Sequence, residues 1–167
     1  MVPLLNEANY VQNPALGSIL IWQFCSGYES SSSGKHTPLP IIYVVLPILL
    51  NKQISTILAS TRRPTGLIGF VDKFSRASSS SSDILLEVGD FALKLRRLTT
   101  RSLLIGLQYN LLLIDPIAAE LFTLIQTAPS AGIPKPIIRL IRDSKKLGEW
   151  CGEVSLHEIS MLLKVSF

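Results

Sequence analysis

The run "LPIIYVVLPILL", Leu39 to Leu50, constrains this chain more than any other stretch. It carries no charge and must leave water. It is well short of the roughly 20 apolar residues needed to cross a bilayer, and Pro47 interrupts it. A buried helix is therefore expected, surrounded by other apolar faces of the same chain, and no membrane span. Only 17% of the 167 residues are charged and 47% are hydrophobic, against about 25% charged in typical globular domains. So little charge leaves apolar surface for partners once a core is filled. The length suits one domain, residues 1–167.

Helical periodicity runs through most of the sequence. Asn13-Pro14 is a turn signal, after which Leu16, Ile19, Leu20 and Phe24 recur at helical spacing with Trp22 beside them. "ESSSSGKHTP" reads as a polar connector, and Thr37-Pro38 or Pro40 opens the second helix. "NKQISTILAS" is a third short helix, broken by "RRPTG". Leu67, Phe70, Val71 and Phe74 form one apolar stripe. "SSSSS", Ser78 to Ser82, is expected to separate that stripe from a helix capped by Asp83 and carrying Ile84, Leu85, Val88, Phe91, Leu95 and Leu98.

The stretch "LTTRSLLIGLQYNLLLIDPIAAELFTLI" then predicts a helix capped at Thr99 or Thr100 and ending near Asn110, followed by a small hairpin around "DPIAA". Helix, turn, helix, hairpin is the order of a winged helix, whose second helix would be Thr100 to Tyr109. The expected fold is thus mostly α with a minor β component. A winged-helix-like unit spans about 66–126, packed by flanking helices in 14–61 and 135–165. After "APSAGIPKP", residues Ile137, Leu140, Ser144, Leu147, Cys151 and Val154 make a narrow seam of the kind one helix shows another. Ser155 and Glu158 form a capping box for a last helix with Ile159, Leu162 and Leu163.

Catalytic signatures are not found. "GYESSSSGKHT" brushes against a phosphate-binding loop, but six residues separate Gly27 from Gly34 and His36, not Ser or Thr, follows Lys35. Cys25, His36, Cys151 and His157 are too scattered for a zinc site, and Cys151 with His157 is read as a seam residue and a helix-start residue before a thiol and its base. No cofactor or metal is expected, and no enzyme. Two distant cysteines argue against a disulfide framework. "MVPLLNEANYVQNP" lacks the pattern of a secretory signal, so cytoplasmic residence is the expectation.

The net charge of +4 permits contact with nucleic acid without requiring it. Lys94, Arg96, Arg97 and Arg101 straddle the turn into the expected recognition helix, where they would neutralise phosphates while Arg101 or Gln108 reach base edges. The bland alternative is a solvated basic face or a protein-docking module. Trp22, Phe70, Trp150, Leu162 and Phe167 are the large apolar residues from which partner anchors are expected, although such residues more often belong to a core.

The segments "NPALGSILIWQFCSGY", "LPIIYVVLPILL", "RRPTGLIGFVDKF", "LRRLTTRSLLIGLQYNLLLI" and "KKLGEWCGEVSLHEISMLLKVSF" together resemble, in order and over nearly the whole chain, the middle components of bacterial three-component ABC systems. Such proteins are encoded beside an SMC-like ABC ATPase and an effector-bearing protein, as in the Lamassu class of anti-phage and anti-plasmid defence. The resemblance implies a non-catalytic adaptor between the ATPase heads of an SMC-like dimer and an effector such as a nuclease, transmitting activation triggered by double-stranded DNA. The family's glycine-tryptophan and capped-tail pattern maps to Leu147, Gly148, Trp150, Ser155, Glu158 and Ile159, in a structural role. The competing reading is a winged-helix regulator that binds DNA on its own.

Overall fold

A computed structural model of the chain describes residues 13–76, 78–125 and 131–167. Its first helix, α1 (Pro14–Ser31), starts where the sequence dictates: Asn13 Oδ1 accepts hydrogen bonds from the backbone N–H groups of Ala15 (2.9 Å) and Leu16 (3.3 Å), and Pro14 occupies the first turn. The helix is apolar nearly all round, the pattern of a helix enclosed on every side. Leu20, Ile21, Phe24 and Cys25 are fully buried.

α1 runs three residues into the expected connector. Ser30 Oγ donates to the Gly27 carbonyl at 2.7 Å, and Ser31 Oγ to the Glu149 carbonyl of another helix at 2.7 Å, so these serines bond inside the structure instead of looping out. Thr37–Pro38 is not the start of a helix either. It forms a two-residue strand, β1, because an open strand edge lies beside it, and a short 3₁₀ turn (Leu39–Ile41) leads on to α2 (Ile42–Leu50). Pro47 is accommodated inside α2, where the ring costs one backbone hydrogen bond. At Asn51 the path bends by 92°, and the Asn51 side chain caps α3 (Lys52–Ser60) through the N–H groups of Gln53 and Ile54.

A 3₁₀ turn (Arg63–Thr65) precedes α4 (Gly66–Arg76), the amphipathic helix expected from the Leu67–Phe74 stripe. α5 (Ser78–Gln108) corrects the sequence reading in two places. Ser78–Ser82 is helical backbone and not a separator, which leaves Asp83 inside the helix and not at its cap; serine in a helix costs only about half a kcal/mol relative to alanine. The turn expected at Thr99–Thr100 is also replaced by continuous helix. Thr100 Oγ1 bonds back to the Arg96 carbonyl (2.9 Å), as Ser102 Oγ does to that of Leu98 (2.8 Å), while Thr99 is fully buried with its hydroxyl unpaired, so neither threonine caps a new helix. The expected end is observed, with Asn110 in the left-handed region (φ 56°) and Leu111 N–H bonded to the Gly106 carbonyl.

The hairpin follows as β2 (Leu112–Asp115) and β3 (Glu120–Thr123), paired antiparallel with Leu113 opposite Phe122. β1 pairs with the other side of β3, Thr37 opposite Leu121, giving the order β1-β3-β2. The chain ends with α6 (Lys135–Gly152) and α7 (Leu156–Leu163), and the Ser155–Glu158 capping box is formed. Residues 126–130, which include the start of the expected linker before α6, and the amino-terminal stretch 1–12 lie outside the described residues.

α1 is the axis of the molecule. It packs most extensively on α6, then on α5 and α2. At the α1–α6 crossing the backbones touch: a Cβ on Gly27 would lie 2.0 Å from the Lys145 carbonyl oxygen, and one on Gly148 2.0 Å from that of Phe24. Ser144 Oγ, buried in the same seam, donates to the Leu20 carbonyl at 2.7 Å.

Helix propensity alone favours Gly→Ala by about 1 kcal/mol, so glycine substitutions separate propensity from packing. Gly89→Ala in α5, with nothing within 4 Å of the new methyl, is expected to raise stability by up to about 1 kcal/mol. Gly27→Ala and Gly148→Ala are expected to lower it by about 3 kcal/mol or more, since backbone must move. Urea denaturation of the three variants measures both signs.

Candidate functional site

The long helix α5 presents two faces. Leu85, Val88, Thr99, Ser102, Leu103 and Gly106 turn inward and are buried. With about 100° of rotation per residue, Glu87, Asp90, Lys94, Arg97, Arg101 and Gln108 fall within an arc of about 80° on the opposite side, and all are exposed. Along one border of this arc stand Leu86, Leu93 and Leu104, exposed by 55%, 71% and 58%. Of the residues expected to meet DNA, the structure thus brings Lys94, Arg97, Arg101 and Gln108 onto one surface. Arg96 turns away and lines a groove of about 600 Å³ with Tyr43, Leu93, Val165 and Phe167.

The ion pairs among the described residues are Arg63–Glu149, Lys146–Asp143 and His36–Glu29, and none involves this face. Nor did the sequence reading include Glu87 and Asp90 in it. Helical register alone would have placed them there, as a continuous helix through Thr99 carries the acidic half and the basic half on one side.

Next to the carboxyl end of α5, the hairpin leaves a second surface uncovered. Asp115 Oδ1 accepts from the N–H groups of Ile117 (2.9 Å) and Ala118 (3.1 Å), which fixes the turn and thrusts Ile117 outward, 96% exposed. Leu113, Leu124 and Ile125 on the strands and their exit are exposed too. β2 is an edge strand. The hairpin is held from below by Glu29, whose carboxylate accepts from Thr123 N–H (2.8 Å) and Oγ1.

Trp22, Phe70 and Trp150 are placed in the core and serve the protein's own packing. Trp22 Nε1 donates to the Ile125 carbonyl, and Trp150 Nε1 to that of Arg63 at 2.7 Å. Phe70 lies 5.5 Å from the Trp150 ring and meets Phe74 edge-on at 5.2 Å. Around them Lys146 Nζ donates to the Leu58 (2.7 Å) and Thr61 (3.0 Å) carbonyls, a cation at the end of α3. Arg63 Nε reaches Glu149 Oε2 at 2.6 Å. Burial pushes the Glu149 carboxyl above its ordinary range, and the Arg63 guanidinium opposes that shift.

The remaining two partner candidates are in the tail. Leu162 is half-buried and Phe167 is 43% exposed, beside Met161, which is 68% exposed and was passed over in the sequence. Lys164 adopts the left-handed conformation that stops α7, Val165 tucks back into the core, and Ser160 Oγ donates to its carbonyl.

Neither cysteine offers a nucleophile. Cys25 and Cys151 are enclosed, and burial pushes both thiols up to about 12, while His157 is exposed. Gly27 of the loop-like "GYESSSSGKHT" is locked against α6 and so cannot take part in a phosphate cradle. Among the described residues no group of three or more His, Cys, Asp or Glu side chains is placed to hold a metal ion. No single described helix is long and apolar enough to cross a membrane. Thiol titration at pH 8 is expected to label neither Cys25 nor Cys151 in the folded chain and both after denaturation; rapid labelling of the native protein would contradict the packing described.

The model of one protein family, ABC-three component (ABC-3C) system Middle Component 3, matches residues 1–167. The chain belongs to that family and is a middle component of a three-component ABC system, with ABC ATPase components for partners. No curated protein and no solved structure matches it.

Proposed function

We propose that this middle component is a cytoplasmic, non-catalytic adaptor, linking an SMC-like ABC ATPase to an effector such as a nuclease in a Lamassu-type defence against phages and plasmids. In this reading, head movement of the ATPase on double-stranded DNA changes the contacts of the adaptor and so shifts the effector from a restrained to an active population. The observation that carries the reading is the hairpin: a fixed turn projects Ile117 into solvent above the exposed Leu113, Leu124 and Ile125. An apolar projection held rigidly by polar contacts beneath it is what a docking element requires.

Co-expression with the ABC ATPase component, followed by purification through a tag on the ATPase, tests this. Leu113→Asp with Ile117→Asp is expected to reduce recovery of the complex about tenfold or more, with helical circular dichroism unchanged. Met161→Asp with Phe167→Asp applies the same test to the tail. Undiminished complex in both folded variants would remove the hairpin and the tail as docking elements.

The alternative, a DNA-binding regulator acting alone, is favoured by one observation. The order α1, β1, α2, then α5, β2, β3, with the sheet arranged β1-β3-β2, supports a winged-helix unit that begins at Pro14 and treats α3 and α4 as insertions. The carboxyl half of α5 would then take the recognition position, with Lys94, Arg97, Arg101 and Gln108 against the duplex. Glu87 and Asp90 on the same face weigh against a phosphate track. Fluorescence anisotropy with duplex DNA over a salt series decides between the readings: the adaptor alone is expected to show no binding at physiological salt. Salt-sensitive binding abolished by Arg97→Ala with Arg101→Ala would favour the regulator.

A further inference from the structure

The outer face of α5 is charged in an order that neither docking reading uses. Its amino half carries Glu87 and Asp90, its carboxyl half Arg97 and Arg101, and Leu93 and Lys94 lie between. The order is symmetric about one point: Glu87 lies seven positions before residue 94 and Arg101 seven after it, while Asp90 and Arg97 lie four before and three after. All are exposed, and none is in an ion pair with another described residue.

We propose that this face is a two-fold docking surface on which α5 of a second copy of this chain lies antiparallel, crossing near residue 94. A two-fold contact uses the same patch on both copies, so each residue must be complementary to its symmetry mate's neighbourhood. At this crossing Glu87 of each copy faces Arg101 of the other and Asp90 faces Arg97, so every cross-pair occurs twice. Leu93, 71% exposed in the single chain, meets its own counterpart beside the axis. Leu86 and Leu104 flank it along the same border, and Val165 and Phe167 extend that border across the adjoining groove, which Leu93 and Asp90 also line. Lys94 comes nearest its symmetry mate; its long stem carries the ammonium away toward Asp90, one turn back on its own helix.

The register is specific. A parallel arrangement sets Glu87 against Glu87 and Arg101 against Arg101, and like charges in contact select against it. A duplex is also a poorer occupant, because phosphates would meet Glu87 and Asp90. The inference is independent of the adaptor reading, since the hairpin that carries that reading is not in this contact.

Charge reversal tests it on the full-length chain. By analytical ultracentrifugation at micromolar concentration the unaltered chain is expected to dimerise. Glu87→Arg with Asp90→Arg, or Arg97→Glu with Arg101→Glu, is expected to weaken the dimer at least about tenfold, while circular dichroism stays helical because the positions are exposed. Mixing the two reversed chains, or combining all four changes in one chain, is expected to restore dimerisation. In the register proposed, oxidation of a Leu93→Cys variant should give a covalent dimer, with the native thiols buried and out of reach. A monomeric unaltered chain, a reversed chain that still dimerises, or a fourfold variant that stays monomeric would each overturn the proposal. So would reversal that abolishes duplex or ATPase binding by a chain that never dimerises.

Discussion

The structure depends on two helix backbones being allowed to touch. α1 and α6 meet where Gly27 lies on the Lys145 carbonyl and Gly148 on that of Phe24, closer than any side chain permits. This removes the usual layer of interdigitated side chains between helices, whose axes ordinarily lie 8–10 Å apart. Ser144 and Ser31 then reach across the gap to the carbonyls of Leu20 and Glu149, so the contact is bonded as well as packed. With α1 fixed in this way, its remaining flanks are free to receive α5 and α2. The apolar run 39–50 finds cover there.

Around that axis, a few polar ties set the positions of elements that burial alone would leave loosely specified. Glu29 at the end of α1 holds strand β3, and Lys146 on α6 gathers the carbonyls that end α3. Arg63 is engaged twice, through its side chain to Glu149 and through its carbonyl to Trp150. Each tie spans a long stretch of sequence and terminates on backbone or on a buried carboxylate. Charged hydrogen bonds of this type fix geometry more than they add stability.

Local signals were legible in the sequence and distant ones were not. Asn13-Pro14, Asn51 and the Ser155–Glu158 box all mark helix starts as read, because a cap is decided within three or four residues. Thr99 and Thr100 misled for the same local reason: a threonine pair looks like a cap until one hydroxyl finds a carbonyl one turn back, as Thr100 does, and the other side chain is buried in the core, as Thr99 is. The strand at Thr37–Pro38 was invisible because its partner, Leu121, is far along the chain. The tryptophans drew attention as anchors through size and scarcity, but whether an indole is inside or outside is a property of the packed whole. The basic residues were found as a cluster, and only the unbroken helix showed that Arg96 leaves it and that acids join it.

The unbroken helix also sets how stiffly two distant parts of the molecule are joined. Thirty-one residues at about 1.5 Å each make a rod roughly 46 Å long, extending from the serine-rich segment to the foot of the hairpin. No joint divides it. A continuous hydrogen-bonded rod bends far less readily than two short helices meeting at a turn, so its two tips keep a fixed separation. The chain has in α5 a single strut where a turn had been expected.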